Sequence, residues 1–191
     1  MKKLIVATGN PGKLQEMQGY LANYDIQLEL KPPEIEIEET GTTFLENAGL
    51  KASQVAQLTG EWAIADDSGL AVAALNGAPG LYSARYGKTD RERIERLLTE
   101  LGDASERNAQ FVCALAIASP GGAIAYEAEG ICPGEILTAP QGEGGFGYDP
   151  IFYVREYQQT FAQMSPQLKH EISHRGRAFA ALLPQLYSHY N

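Results

Sequence analysis

Apolar positions set the rhythm of this chain. Leu4, Ile5, Val6 and Ala7 form a short unbroken run, which reads as a buried strand over residues 3–8. Residues 9–12 predict a tight turn, and Leu14, Met17 and Leu21 then recur at helical spacing over 13–22. The chain therefore opens strand, glycine turn, helix. Ile26, Leu28 and Leu30 alternate with polar residues and predict a second strand, followed by a proline- and acid-rich loop over 31–41. Thr43 and Glu46 have the spacing of a helix capping box. The helix they open should run to about Leu58, with Gly60 past its end. Leu45, Ala48, Ala52 and Val55 give it one apolar stripe, while Asn47, Lys51 and Gln54 share another face.

The second half is read in the same way. Trp62 to Ala65 predicts a buried strand that stops at Asp66-Asp67-Ser68-Gly69, and residues 70–75 read as a further strand. Ile94, Leu97, Leu98 and Leu101 place one apolar face on a helix over 89–101. Two apolar runs, 109–118 and 123–131, flank Ser119-Pro120-Gly121-Gly122 and predict a hairpin. A glycine-rich loop over 142–149 precedes a short strand at 151–153. The tail reads as helical, with Ser165-Pro166 as cap and first-turn proline, and Pro184 ending or kinking the last helix. The pattern is mixed α/β, with no repeat and no linker that would separate independent domains.

Composition narrows the class. At 191 residues and 44% hydrophobic, the chain suits one domain, or one domain with two lobes, around a substantial core. No apolar run approaches the roughly 18–20 residues that cross a bilayer. The apolar stretch after Met1-Lys2-Lys3 is too short for a signal peptide, so a cytoplasmic protein is expected. Cys113 and Cys132 lie in or beside apolar stretches and read as reduced core thiols, and their spacing forms no zinc site. The net charge of −9 disfavours a nonspecific nucleic-acid binder, which needs a basic footprint. An acidic protein can still bind a polyanion if its cations are concentrated at one place and a metal assists.

Four groups of residues could carry chemistry. Thr8-Gly9-Asn10-Pro11-Gly12-Lys13 joins a strand to a helix, so backbone N–H groups, the helix dipole and Lys13 could cradle phosphate. It is neither a Walker A loop, since Leu14 stands where a metal-binding Ser or Thr is needed, nor a dinucleotide fingerprint. An ordinary strand–turn–helix corner would use similar residues. Asp66 and Asp67, with Glu38 and Glu39 in the acidic loop, could supply the few carboxylates a Mg²⁺ ion takes alongside water and phosphate oxygens. A turn cap and a solvated loop are the plainer alternatives. Lys169, His170, His174, Arg175 and Arg177 concentrate basic residues in an acidic chain, as a polyphosphate clamp or simply as an exposed helix face. In Gly144-Gly145-Phe146-Gly147-Tyr148-Asp149, glycines allow close backbone approach, an aromatic can stack on a base, and a carboxylate can accept from a ring N–H.

Six ordered blocks carry a resemblance across nearly the whole chain. They are residues 8–13, 38–48, 66–70, 77–86, 144–150 and 172–176. Together they resemble the inosine triphosphate pyrophosphatase family. The resemblance implies an elongated mixed β-sheet with flanking helices in two lobes, a substrate cleft between them, and a homodimer. It also implies Mg²⁺-dependent hydrolysis of dITP, ITP, XTP and dXTP to the monophosphate and pyrophosphate. By matching position to position, Thr8, Gly9, Asn10, Pro11, Gly12, Lys13, Ser68, Phe146, Gly147, Tyr148, Asp149, Lys169, His174 and Arg175 are expected to contact substrate. Asp67 is expected to be the general base and a metal-site residue. The loop glutamate of the metal site aligns best with Glu38, and a slip of one residue would make it Glu39. Lys51, beside Asn47, is a plausible further phosphate contact.

Two other readings stand beside the enzyme. A non-catalytic purine nucleotide sensor would need the cradle and the base loop but not the Asp66-Asp67 pair. A third keeps the fold and changes the substrate to damaged or pyrimidine triphosphates. For the enzyme, Lys13, Lys51 and Lys169 are expected to hold the leaving pyrophosphate. Asp149 and Arg175 are expected to pair with the N1–H and O6 edge of the base.

Overall fold

The computed structural model describes residues 3–190, with side chains over 3–186. The reading of Met1 and Lys2 as the lead-in to the first strand lies outside the described residues. The elements are β1 (Lys3–Val6), α1 (Pro11–Leu21), β2 (Gln27–Leu30), α2 (Phe44–Thr59), β3 (Ala63–Val72), α3 (Asp90–Leu101), β4 (Asn108–Ala118), β5 (Ile124–Ile136), β6 (Phe152–Val154), β7 (Gln159–Thr160), α4 (Pro166–Ile172) and α5 (His174–Tyr190). Two short 3-10 turns, Ala73–Leu75 and Gly80–Arg85, follow β3.

The strands form one mixed sheet in the order β2-β1-β3-β4-β5-β6-β7. β1 runs parallel to both β2 and β3, with Leu4 opposite Leu28 and Ile5 opposite Ala63. β6 runs antiparallel to β5 and to β7. The α/β reading holds, and so does the hairpin turn over 119–122, where Ser119 N–H reaches the Ala123 carbonyl. The α2 caps also match the sequence expectation: Thr43 and Glu46 form the reciprocal capping box, and Gly60 closes the helix in a left-handed conformation.

Three expectations are corrected. Helix α1 begins at Pro11, because the Asn10 side chain accepts from Gly12 N–H and caps the helix two residues earlier than the apolar spacing suggested. β3 does not stop at the aspartates: a single strand continues through Asp66, Asp67, Ser68 and Gly69 to Val72. Two adjacent charges look like a turn in sequence, yet each finds a cationic partner beside the sheet, so the strand continues. Pro184 does not end the last helix: it lies inside α5, which runs on to Tyr190.

The chain divides into two compact units. The first comprises Met1–Asp67, Cys113–Gly130 and Arg175–Asn191; the second comprises Ser68–Val112 and Ile131–His174. In the first unit, period-two alternation splits the sheet's side chains between two cores. Ile64, Cys113, Leu115 and Ile117 pack with Met17 and Leu21 of α1 and Phe179 and Leu182 of α5. Ala63, Ala65, Ala114 and Ala116 pack with Ala48, Ala52, Val55 and Ala56 of α2. Alanine on both sides lets α2 lie close to the strands. The second unit has an aromatic core, with Phe111, Phe152 and Phe161 at centroid separations of 4.6 to 5.7 Å.

Candidate functional site

The alternation that sorts the core of the first unit also sorts its charges. Asp66 follows Ile64 onto the face of α1 and α5. Its Oδ2 lies 2.9 Å from Lys13 Nζ and 2.8 Å from Arg175 Nη2. The other terminal nitrogen of Arg175 is bound by Glu16 of α1. Burial alone would push the Asp66 carboxyl up, but Lys13 and Arg175 outweigh it and hold the group well below the usual carboxylate range. The Cys113 thiol beneath them is pushed up to about 12 by burial, which makes it a core side chain and not a nucleophile.

Asp67 follows Ala63 and Ala65 onto the face of α2. Its Oδ1 lies 3.2 Å from Lys51 Nζ, and its Oδ2 accepts from Asn47 Nδ2 at 3.1 Å. Lys51 Nζ also reaches Glu39 Oε1 at 2.7 Å. Burial pushes the Asp67 carboxyl up; Lys51 opposes this and Glu39 adds to it. A carboxyl raised in this way is a better proton acceptor than an exposed aspartate. Burial would lower the Lys51 ammonium, yet the charges of Asp67 and Asp66 raise it, so it stays protonated.

At the strand–helix corner, Thr8 is half-buried and Gly9, Asn10, Pro11 and Gly12 are exposed. The turn ties up part of its own donor set: Asn10 N–H reaches Thr8 Oγ1 at 3.1 Å, and Gly12 N–H reaches Asn10 Oδ1 at 2.9 Å. The full positive charge at this corner is Lys13.

The two glutamates of the acidic loop differ in setting. Glu38 is exposed, whereas Glu39 is the residue that reaches Lys51 beside Asp67. Glu39 is therefore the loop carboxylate that shares Lys51 with Asp67. Among the described residues, no group of three or more His, Cys, Asp or Glu is arranged to hold a metal. Asp67 and Glu39 already share one cation, the Lys51 ammonium. Such a donor set fits a hard ion such as Mg²⁺, which takes one or two carboxylates and completes its shell with water and phosphate oxygens. It does not fit a closed zinc site.

The second unit holds the remaining expected residues. Ser68 follows Asp67 on β3 and is half-buried. Lys169 of α4 lies 2.6 Å from Asp149 Oδ2 and sits 4.7 Å from the centre of the Phe146 ring. The same Asp149 oxygen accepts from Phe146 N–H at 2.8 Å. Gly147 N–H donates to Asp90 of α3 at 2.7 Å, and the Tyr148 hydroxyl donates to the Ser83 carbonyl at 2.8 Å. Phe146 keeps 44% of its surface exposed, so its ring is available for stacking. His174 is buried, its ring stacked 4.7 Å from Phe111.

Lys169 and Arg175 of the basic tail have separate carboxylate partners. Ser173 interrupts the helices: Lys169 on α4 joins Asp149 and the base loop, while Arg175 on α5 joins Asp66 and Glu16.

The Ham1 family profile matches residues 4–185. The chain belongs to the Ham1 family. A relative from Nostoc sp. named dITP/XTP pyrophosphatase is 71% identical over 97% of this chain and 94% of its own length. One of the same name from Synechocystis sp. is 62% identical over 97% of this chain and 95% of its own. Among solved structures, a HAM1 protein from Coxiella burnetii superposes with a TM-score of 0.89 at 44% identity, covering 99% of this chain and 100% of that one. The Staphylococcus aureus Ham1 protein gives 0.87 at 42%, covering 99% of each.

Two contributors in this Ham1 chain were missed by sequence reasoning. Asn47 is 1% exposed and spans Asp67 and the Gly41 N–H, which its Oδ1 accepts at 2.8 Å. The available signal was its place one helical turn before Lys51. Asp90, which anchors Gly147, lies in a stretch that carried no signal beyond an amphipathic helix.

Proposed function

We propose that this chain hydrolyses dITP, ITP, XTP and dXTP to the monophosphate and pyrophosphate. The observation that carries the reading is Asp67: a buried carboxylate with raised proton affinity, held by Lys51 and Asn47 on the same strand as Asp66, which binds Lys13. Membership of the Ham1 family and the names of its close relatives support the substrate class.

In this reading water attacks the α-phosphorus and pyrophosphate departs. Asp67 orients that water and takes its proton. Lys13 and Lys51 hold the phosphate oxygens as negative charge builds on the leaving group, so much of the rate comes from fixed electrostatics. Asp66 acts on Lys13, fixing the direction of its ammonium from a position locked by Arg175. A Mg²⁺ ion, for which Asp67 and Glu39 are the proposed ligands, would neutralise phosphate charge when bound. In the second unit, Phe146 stacks on the base and Asp149 accepts from its N1–H. Adenine presents an acceptor at N1 in place of that donor, so its lone pair would face the carboxylate, which favours hypoxanthine and xanthine. Lys169 belongs with this base loop and not with the triphosphate.

A nucleotide panel in heavy-oxygen water tests the reading. Label is expected in the monophosphate, with unlabelled pyrophosphate and strong preference for ITP and XTP over ATP. Release of orthophosphate and a diphosphate would refute it, and binding without turnover would indicate a sensor. The same reading includes action on the cytoplasmic nucleotide pool as a homodimer, and sedimentation equilibrium should then give about twice the chain mass of 20.7 kDa.

A further inference from the structure

The contacts around Asp67 divide into one that can leave and one that cannot. Asn47 uses both ends of its amide: Nδ2 donates to Asp67 Oδ2, and Oδ1 accepts from Gly41 N–H. Its burial and short side chain fix it there. Lys51 occupies the other oxygen of Asp67 and, from the opposite side, Glu39 Oε1. Its ammonium is a mobile point charge on a four-carbon stem. Two carboxylates share this one ammonium. A divalent ion would balance both carboxylates, and it cannot share their oxygens with an ammonium at the same position without strong like-charge repulsion.

We propose that Lys51 occupies the divalent-cation position in the free protein: it holds Glu39 and Asp67 together, and the ion that enters with the nucleotide displaces its ammonium towards the phosphates. This rests on the assignment of Asp67 and Glu39 as metal ligands made above. One residue then serves in both states, as counter-ion to the carboxylates before substrate arrives and as phosphate ligand afterwards. The nucleotide supplies what the exchange requires, because its phosphates bind the incoming ion and receive the outgoing ammonium. Divalent ions alone should bind weakly, and the carboxylates are spared the repulsion of facing each other with no cation between them.

The test is Mn²⁺ binding to the full chain without nucleotide, read by the electron paramagnetic resonance of free Mn²⁺. Lys51→Met removes the competitor and should tighten Mn²⁺ binding about tenfold or more, in line with close charge-pair couplings. Lys51→Gln, a polar replacement, should act in the same direction, and circular dichroism establishes that each variant is folded. Lys13→Met removes an equal charge from Asp66 without vacating the position between Glu39 and Asp67, and should change binding far less. Lys51 variants that bind Mn²⁺ no more tightly than the parent, or an equal gain in Lys13→Met, would overturn the exchange. A second arm adds a non-hydrolysable inosine triphosphate analogue. If the parent then binds Mn²⁺ while the Lys51 variants show no gain alone, only the exchange fails. If no Mn²⁺ binds in either arm, the metal assignment fails with it.

Discussion

Replacing Asp66 by Asn should unfold this protein far more readily than the same change at Asp67. Asp66 Oδ2 faces two cations, Lys13 at 2.9 Å and Arg175 at 2.8 Å, and the side chains of Asp66 and Arg175 are only 1% and 4% exposed. Removing one member of a buried ion pair strands the other and costs about 3–5 kcal/mol. Glu16 still holds one side of Arg175, which places the expected loss toward the lower end of that range. In a domain of this size each kcal/mol moves Tm by about 2–4 °C, so Asp66→Asn should melt at least about 6 °C below the parent. Asp67 is the opposite case. Its carboxyl is raised by burial, so its ionised form is disfavoured in the fold, and Asp67→Asn should leave Tm unchanged or slightly higher. The pH dependence separates the two further. The Asp66 carboxyl is depressed from its ordinary 3.8. The stability it contributes is therefore complete above that value and disappears as pH falls through the lower, folded value. The deficit of Asp66→Asn should be constant across neutral pH and shrink in acid. Thermal and urea unfolding of both variants from neutral to strongly acidic pH measures all of this. An Asp66→Asn protein that melts with the parent, or a deficit that grows in acid, would show that the Lys13–Asp66–Arg175 arrangement does not stabilise the fold.

The remaining expectations concern turnover. Asp67→Asn should lower kcat about 10²-fold or more while nucleotide binding persists, as steady-state kinetics with calorimetric binding would show. Phe146→Ala should raise KM for ITP and ATP together, because stacking does not distinguish them, and selective loss on ITP alone would count against that role. Gly145→Ala should disrupt the base loop: Gly145 has φ +74°, and a Cβ there would overlap the Asp149 carboxylate. Raised KM with a smaller change in kcat is the expected result. Lys169→Ala should lower the preference for ITP over ATP, since Lys169 fixes Asp149, and a loss confined to pyrophosphate release would return it to the triphosphate.

Local chemistry was legible in the sequence wherever one segment decides the outcome. The Thr43–Glu46 capping box, Gly60 and the Ser119–Gly122 turn signal their own conformations. The chain's continuation through Asp66 and Asp67 was not legible, because the cations that permit it lie elsewhere in the chain: Lys51 is 16 residues from Asp67, Lys13 more than fifty from Asp66 and Arg175 more than a hundred. For the same reason the separate partners of Lys169 and Arg175 were not legible. Lys169 and Arg175 are six residues apart, but Ser173 ends one helix and each side chain has its own carboxylate. That Glu39 reaches Lys51 while Glu38 is exposed depends on which side of an irregular loop faces the lysine, and neither periodicity nor composition records that.

The placement of the acidic pair on β3 has a dynamic consequence. β3 is flanked by β1 at Ala63 and Ile64 and by β4 on its other side, so the stretch that leads into the acidic pair is fastened along both edges. Its amides should be among the slowest in the molecule to exchange with solvent, and the two carboxylates inherit that immobility. A base carried on such an element cannot advance on its substrate. Adjustments during a catalytic cycle must come from parts with slack: the loop that presents Glu39, the stem of Lys51 and the glycines before Asp149. Slowing those parts should lower turnover while Asp67 stays where it is.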